Sequence, residues 1–426
     1  MSTLPAGWRE ATLGEVADWG SGGTPKAGAA RYYAQGTIPW AVIGDLTDGP
    51  VTSTQTRITP VAVEESPAKV VSPETVLIAM YGSIGKLGLP VIPMATNQAI
   101  AFATPRLVDR KYLFYYLMSQ RERLTSAGRG GTQQNISQTV LKAWPICYPP
   151  LDEQRRIVAI LEDHLAHLDN ASRALESARF HAVTLADQFA ATQLLGRPFP
   201  GQVPPLLTSP LPILPADWTW STLAEVADIA GGVTKDAKSQ SDPTIPEVPY
   251  LRVANVQRGY LDLSQVSTIR VLPSRAARLV LRDGDVLLNE GGDRDKLARG
   301  WVWRDEIAAC IHQNHVFRAR PRRTVVSPYW IAWVANTLGA PWAQAHGKQT
   351  TNLASISLSM LRRMPMPLPP LPEQDRRLEA IQEVSGMMKR LEEQSQRMRD
   401  RATALRRSLL AAAFRGDLTR DFRTDD

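Results

Sequence analysis

The sequence predicts an α+β protein: two pseudo-symmetric mixed α/β domains separated by two long helices that form an antiparallel coiled coil. Three observations predict it. Most of the sequence is written twice. Each copy contains short β-type runs broken by Gly and Pro, with a few amphipathic helices between them. Each copy then enters a long segment whose apolar residues recur at heptad spacing.

The repeat is direct. Pro5-Ala-Gly-Trp8-Arg-Glu-Ala-Thr-Leu13-Gly-Glu15-Val-Ala-Asp18 returns 210 residues later as Pro215-Ala-Asp-Trp218-Thr-Trp-Ser-Thr-Leu223-Ala-Glu225-Val-Ala-Asp228. The same offset pairs Ile38-Pro39-Trp40 with Val248-Pro249-Tyr250 and Val76-Leu77 with Val286-Leu287. It then drifts to 216, pairing Asn97 with Gln313 and Pro105 with Pro321. It closes at 220, where Pro149-Pro150-Leu151-Asp152-Glu153-Gln154 meets Pro369-Pro370-Leu371-Pro372-Glu373-Gln374. Such drift means loop insertions in one fold. The period is far too long for a solenoid.

The elements follow in order. Residues 1–150 form the first domain, with strands such as Val76–Tyr81 and a helix near Lys111–Arg123. The Pro-Pro step, with acids just after it, starts a helix over 151–195. Its apolar seam runs Val158, Leu161, Leu165, Leu168, Ser172, Leu175, Arg179, Ala182, Ala186, Phe189. The proline-rich stretch 196–214 cannot continue a helix and reads as a linker. Residues 215–371 form the second domain, with a strand at Asp285–Asn289 and a helix at Pro328–Leu338. A second long helix fills 372–416, with the seam Ile381, Val384, Met388, Leu391, Ser395, Met398, Ala402, Leu405, Leu409, Ala412. Steps of three and four alternate throughout, as in a coiled coil. Leu161, Leu165, Leu168, Leu175, Met388, Leu391, Met398, Leu405 and Leu409 are the expected helix-pair and partner interface.

Composition limits the function classes. Of 426 residues 43% are hydrophobic and 21% charged, which suits more than one core and excludes a disordered tail protein. No apolar run is long enough to span a membrane, and the start carries no secretory pattern, so the cytoplasm is expected. Cys147 and Cys310 cannot make a disulfide framework or a cysteine zinc site. The net charge of +7 is compatible with a nucleic-acid partner.

Catalytic patterns fail on inspection. No Pro-Pro pair is preceded by the Asn or Asp of an adenine methyltransferase. Gly82-Ser-Ile-Gly85-Lys86 has two residues between its glycines where a nucleotide-binding loop needs four, and Leu87 follows the Lys. Asp109-Arg-Lys111 and Asp236-Ala-Lys238 lack the acidic partner of a nuclease core. His312-Gln-Asn314-His315 has no acidic or Cys ligand at metal spacing beside it. No cofactor or metal site is expected in this chain.

Polar loops at matched places are the better candidates. Tyr81, Ser83 and Lys86 follow the first copy's strand. Asn289, Asp293, Arg294, Lys296 and Arg299 follow the second's. Asn97 and Gln98 correspond to Gln313 and Asn314. Arg129, Gln133, Gln134 and Asn135 correspond to Lys348, Gln349 and Thr350. These are side chains that read base edges: Arg and Lys on guanine, Asn and Gln on adenine, Asp on cytosine. Basic residues outnumber acids over 294–323, an attraction to phosphate.

The duplicated half, the Pro-Pro-Leu-x-Glu-Gln step into a long helix, Gly82-Ser-Ile-Gly-Lys86, and the closing Ser408-Leu-Leu-Ala-Ala-Ala-Phe414-Arg-Gly416-Asp-Leu418-Thr419 resemble the specificity subunits of type I restriction–modification enzymes. The first copy departs at its helix end, where Gln188–Gly196 matches that close only loosely. The second copy has Gly292-Asp-Arg-Asp-Lys296 in place of Gly-Ser-Ile-Gly-Lys. The resemblance implies two target recognition domains, each reading half of a bipartite site on double-stranded DNA, and a helix pair acting as a ruler. It implies two methyltransferase partners that bring S-adenosylmethionine. Where a restriction subunit joins, it implies ATP and magnesium. It implies no chemistry in this chain. The competing readings are a fused methyltransferase or nuclease and a coiled-coil adaptor that reads no DNA.

Overall fold

Residues 4–128, 135–204, 206, 210–349 and 354–423 are described in the computed structural model. They fall into two units, Met1–Leu175 with Gln396–Asp426, and Glu176–Ser395. Each unit therefore holds one mixed α/β domain with half of each long helix. The long helices run over Leu151–Leu194 and Leu371–Arg415.

Both domains open in the same way. In the first, the Glu15 carboxylate accepts from Thr12 N at 2.6 Å and from Thr12 Oγ1 at 2.8 Å. In the second, Glu225 accepts from Thr222 N at 2.7 Å and from Thr222 Oγ1 at 3.0 Å. Each short helix is thereby stopped at its start, and Leu13 and Leu223 drop into the core without exposure.

The first unit contains a five-stranded sheet in the order Ala17–Ser21, Ile100–Pro105, Val76–Ala79, Leu87–Pro90, Gly49–Val51. It also contains a four-stranded sheet, Thr56–Ile58, Ile38–Ala41, Met94–Thr96, Lys69–Val71, whose middle pair is parallel. In the second unit the matching sheets are Ala227–Ala230, Val316–Pro321, Val286–Asn289, Gly300–Val302, and Ser267–Arg270, Glu247–Leu251, Ile311–His312. Every residue of Val76–Ala79 and of Val286–Asn289 is buried, as a central strand covered on both faces requires.

The Pro-Pro-Leu-x-Glu-Gln step has a structural reason. Gln154 is buried, donates from Nε2 to Pro149 O at 2.8 Å, and accepts at Oε1 from Asp109 N at 2.7 Å. Asp109 in turn caps the helix Arg110–Ser119. Gln374 repeats this, donating to Pro369 O at 2.9 Å and accepting from Ser327 N at 2.8 Å, where Ser327 precedes the helix Pro328–Thr337. One glutamine thus locks the start of each long helix to the start of a domain helix. The two Asp-x-Lys matches are caps as well: Asp109 accepts from Lys111 N at 2.8 Å, and Asp236 accepts from Ser239 N at 3.0 Å.

Within each unit the helix halves run antiparallel. In the second unit Arg179 meets Glu392 at 3.0 Å and Arg377 Nη1 donates to Gln193 O at 3.1 Å, so partners descend along one helix as they rise along the other. In the first unit Glu153 accepts from Thr419 Oγ1 at 2.6 Å and Asp169 pairs with Arg406. Ile157, Val158, Leu161, Leu410 and Ala413 share that unit's main core.

The seam of the second long helix needs one correction. Met398 is 58% exposed and Leu405 46%, so neither is a helix-pair residue. Beyond buried Ser395 the covered face passes through Arg399, Ala402, Arg406, Leu409, Leu410 and Ala413. A straight helix advances 3.6 residues per turn, and a strict seven-residue repeat drifts off its face by about 20° per heptad. The extra residue after Ser395 absorbs that drift. On the first long helix Leu161 and Leu165 are buried and Leu168 and Leu175 half-buried, and on the second Met388, Leu391 and Leu409 are half-buried, all on the covered faces.

Both long helices end at a left-handed glycine, Gly196 at φ 66° and Gly416 at φ 80°. Pro215 and Trp218 crowd Gly196, and Pro5 and Trp8 crowd Gly416. The end of the first helix thus matches the second once the glycine is the reference. The stretch after Gly196 is packed: Gln188 Nε2 donates to Gly201 O at 2.9 Å and Trp220 Nε1 to Pro212 O at 2.9 Å.

Candidate nucleic-acid interface

The matched polar loops are gathered by one backbone residue in each domain. In the first, Met80 N donates to Ala99 O at 2.8 Å, and Met80 O accepts from Ile136 N at 2.9 Å. In the second, Glu290 N donates to His315 O at 3.0 Å, and Glu290 O accepts from Ile356 N at 2.8 Å. Three stretches far apart in sequence therefore meet at one edge of the central strand. Tyr81 also pairs across with Asn135, and Gly291 with Ser355. The drift from 210 to 216 to 220 is the loop length inserted between these three contacts.

A second contact fixes the glycine-rich segments. Gly23 N donates to Thr96 O at 2.9 Å and Val233 N to His312 O at 2.8 Å. A Cβ on Gly22 would lie 2.0 Å from Thr96 O, and one on Gly232 would lie 2.1 Å from His312 O. Only glycine permits this approach.

The expected base-reading residues divide on this frame. Tyr81, Ser83, Gln98 and Asn135 are exposed. Asn97 is half-buried, and its Oδ1 accepts from Ala99 N at 3.2 Å, which shapes the turn. Gln98 Oε1 accepts from Thr24 Oγ1. Lys86 is half-buried, with Nζ on Ile43 O at 3.3 Å. In the second domain Asp293, Arg294 and Lys348 are exposed. Asp293 pairs with Lys296, which holds the Asp293 carboxyl below its ordinary range. Gln313 and Asn314 are half-buried. A small sheet sets Lys348–Gln349 beside Ala354–Ser355 and Gly291–Gly292, so the 290s loop and Lys348 share one surface. Arg129, Gln133, Gln134 and Thr350 lie outside the described residues, as does the side chain of Gln349.

Asn289 must be withdrawn as a base reader. It has no exposure, and its Nδ2 donates to Val256 O at 2.9 Å. The last residue of a buried central strand points inward, and its amide pins the 253–256 turn. Arg299 braces the same turn, with Nε on Val256 O at 3.2 Å.

Two residues without a place in the expected set stand at the centre. His315 Nδ1 lies 2.6 Å from Glu290 Oε2, and His315 Nε2 lies 3.3 Å from Asn314 Nδ2. The signal was the repeat itself: Glu290 and His315 are ionisable where the first copy has Met80 and Ala99. His312, by contrast, turns inward, with Nδ1 on Val316 O at 2.6 Å. Burial pushes its pKa down to about 4.

Comparison with known proteins agrees with this architecture. Residues 5–176 match the family described as "Type I restriction modification DNA specificity domain". The chain is 22% identical to the EcoKI specificity subunit of Escherichia coli K12, over 99% of this chain and 92% of that protein. It is 23% identical to the StySPI specificity subunit of Salmonella potsdam, again over 99% and 92%. Among solved structures, the HsdS subunit of Thermoanaerobacter tengcongensis superposes with a TM-score of 0.55 at 20% identity, covering 98% of each chain. A chain from a study of the assembly and conformational transition of the type I R-M system superposes with a TM-score of 0.74 at 21% identity, over 98% of this chain and 100% of that one. With two copies of one domain, a long helix after each, and sequence likeness along almost the entire length, the chain is similar throughout to the specificity subunits of type I restriction–modification systems, and its residues 5–176 match the domain model of that family.

Proposed function

We propose that this chain reads a bipartite DNA target, one half-site per domain, and that its long helices set the spacing and dock two methyltransferase subunits. The observation that carries the reading is the doubled frame. The same backbone ties at Met80 and Glu290 display different polar side chains, as two readers of two different sequences would. Two linked readers engage together only when the separation of the half-sites fits the link between them. A helix of 44 residues is about 66 Å long at 1.5 Å per residue, under two turns of duplex. Exposed Phe180, Val183, Leu185, Met387, Met398 and Leu405 on the helices support docking, since such side chains are costly to leave in water.

In this reading the partners supply S-adenosylmethionine and the methyl transfer, and they extrude the adenine. A restriction subunit, where present, brings ATP and magnesium. The chain itself works on DNA in the cytoplasm. The test is single-molecule sequencing of methylated adenine in host DNA with and without this gene. One bipartite motif should vanish on deletion. Removing four residues from each long helix should shorten the gap in that motif, and an unchanged gap would refute the ruler.

A further inference from the structure

We infer that Glu290, His315 and Asn314 form a relay that aims Asn314 at an adenine in the half-site read by the second domain. This rests on the DNA-reading function proposed above and names a specific reader within it.

Donors and acceptors set the roles of the three side chains. The Glu290 carboxylate accepts only, so the 2.6 Å contact requires the proton on His315 Nδ1. In the neutral ring Nε2 is then an acceptor. With the ring neutral, the contact at 3.3 Å is a donation from Asn314 Nδ2. One N–H of the amide is thus committed to the histidine. The other N–H and Oδ1 remain, and among the described residues Oδ1 has no partner. One donor beside one acceptor on a planar amide is the pattern that engages adenine N7 and N6 together. An unrestrained Asn rotates freely between its two faces, and the relay removes that freedom.

The frame supports the relay from below. Glu290 is held through its own backbone by His315 O and Ile356 N. Asn314 N donates to Val233 O at 2.9 Å, and Gln313 N to Leu251 O at 2.9 Å. Asn314 is half-buried and the His315 side chain is 54% exposed, so the group sits at the surface with a fixed backbone. The first domain has Met80, Gln98 and Ala99 at these places and cannot form the relay. The effect is therefore confined to one half of the target.

The test uses the full chain assembled with its methyltransferase. Methylated-adenine sequencing gives the parental motif. Methylation rates are then measured on duplexes substituted at each base pair. N314A and H315A should each lose discrimination at one A·T pair of one half-site, by about 5- to 150-fold, the range of one bidentate contact. E290A should relax the same pair, and E290Q, whose amide oxygen still accepts from Nδ1–H, should recover discrimination relative to E290A. Unchanged discrimination in N314A and H315A overturns the relay. So does relaxation at a G·C pair, or a uniform fall at every position in all variants, which is the mark of a merely structural role. A parental chain that directs no bipartite motif refutes the DNA-reading function itself, a distinct result.

Discussion

Glu153 and Arg423 stand 270 residues apart in sequence and meet at 2.6 Å. The carboxylate is almost fully buried and also accepts from Trp8 Nε1 at 3.2 Å and Thr419 Oγ1 at 2.6 Å. It gathers the beginning of the first domain, the beginning of one long helix and the residues after the other. E153A removes the acceptor of all three and leaves the Arg423 guanidinium, 16% exposed, without its counterion. The expected loss is about 3–5 kcal/mol, the range for breaking a buried pair. Denaturant unfolding of the purified chain measures it. The equivalent Glu373, 23% exposed and held down to about pKa 2 by Arg376 and then Arg377, should cost less when replaced.

His312 gives a pH dependence with a definite sign. Its ordinary pKa of 6.5 falls to about 4 in the fold. As pH drops, the unfolded chain takes up this proton first, so stability is lost between about 6.5 and about 4. The counterpart Thr96 does not titrate. H312N should flatten this part of the stability profile, and a parallel profile would contradict the buried neutral ring.

The corrected seam separates two neighbouring leucines. L410D places a charge in a core position that is 8% exposed, and should cost about 4 kcal/mol. L405D changes a surface residue and should stay within about 0.5 kcal/mol of the parent. Thermal unfolding distinguishes them. L405D and M398D should instead weaken copurification with the methyltransferase.

Adjacent glycines provide another contrast. G232A drives a methyl into His312 O at 2.1 Å and should cost about 3 kcal/mol. G231A meets nothing within 4 Å and should change stability by under about 0.5 kcal/mol.

The repeat made the architecture legible, because each copy confirms the other's strands and the helix periodicity is long. The convergence of the polar loops was legible as three matched pairs, though not as one site, since nothing local says that residues 80, 99 and 136 touch. Asn289 was misread because a polar residue at a strand end looks alike whether it faces water or a buried carbonyl. A template of period 3.5 sets Met398 and Leu405 on the helix-pair face because it fits sequence letters without feeling the pitch of a real helix; their exposure leaves them to the partner-facing side. The tie between Glu290 and His315 is not legible locally, because a side-chain contact across 25 residues leaves no spacing signature.

The main-chain ties at Met80 and Glu290 carry a consequence for heredity. Hydrogen bonds between peptide groups do not depend on which side chains flank them. A lineage can rewrite the letters displayed at 97–98 or 313–315 while the scaffold beneath stays unaltered. Under the proposed DNA-reading function, novelty in what is recognised is thereby uncoupled from the hazard of misfolding, and each half of the proposed target can diversify on its own schedule.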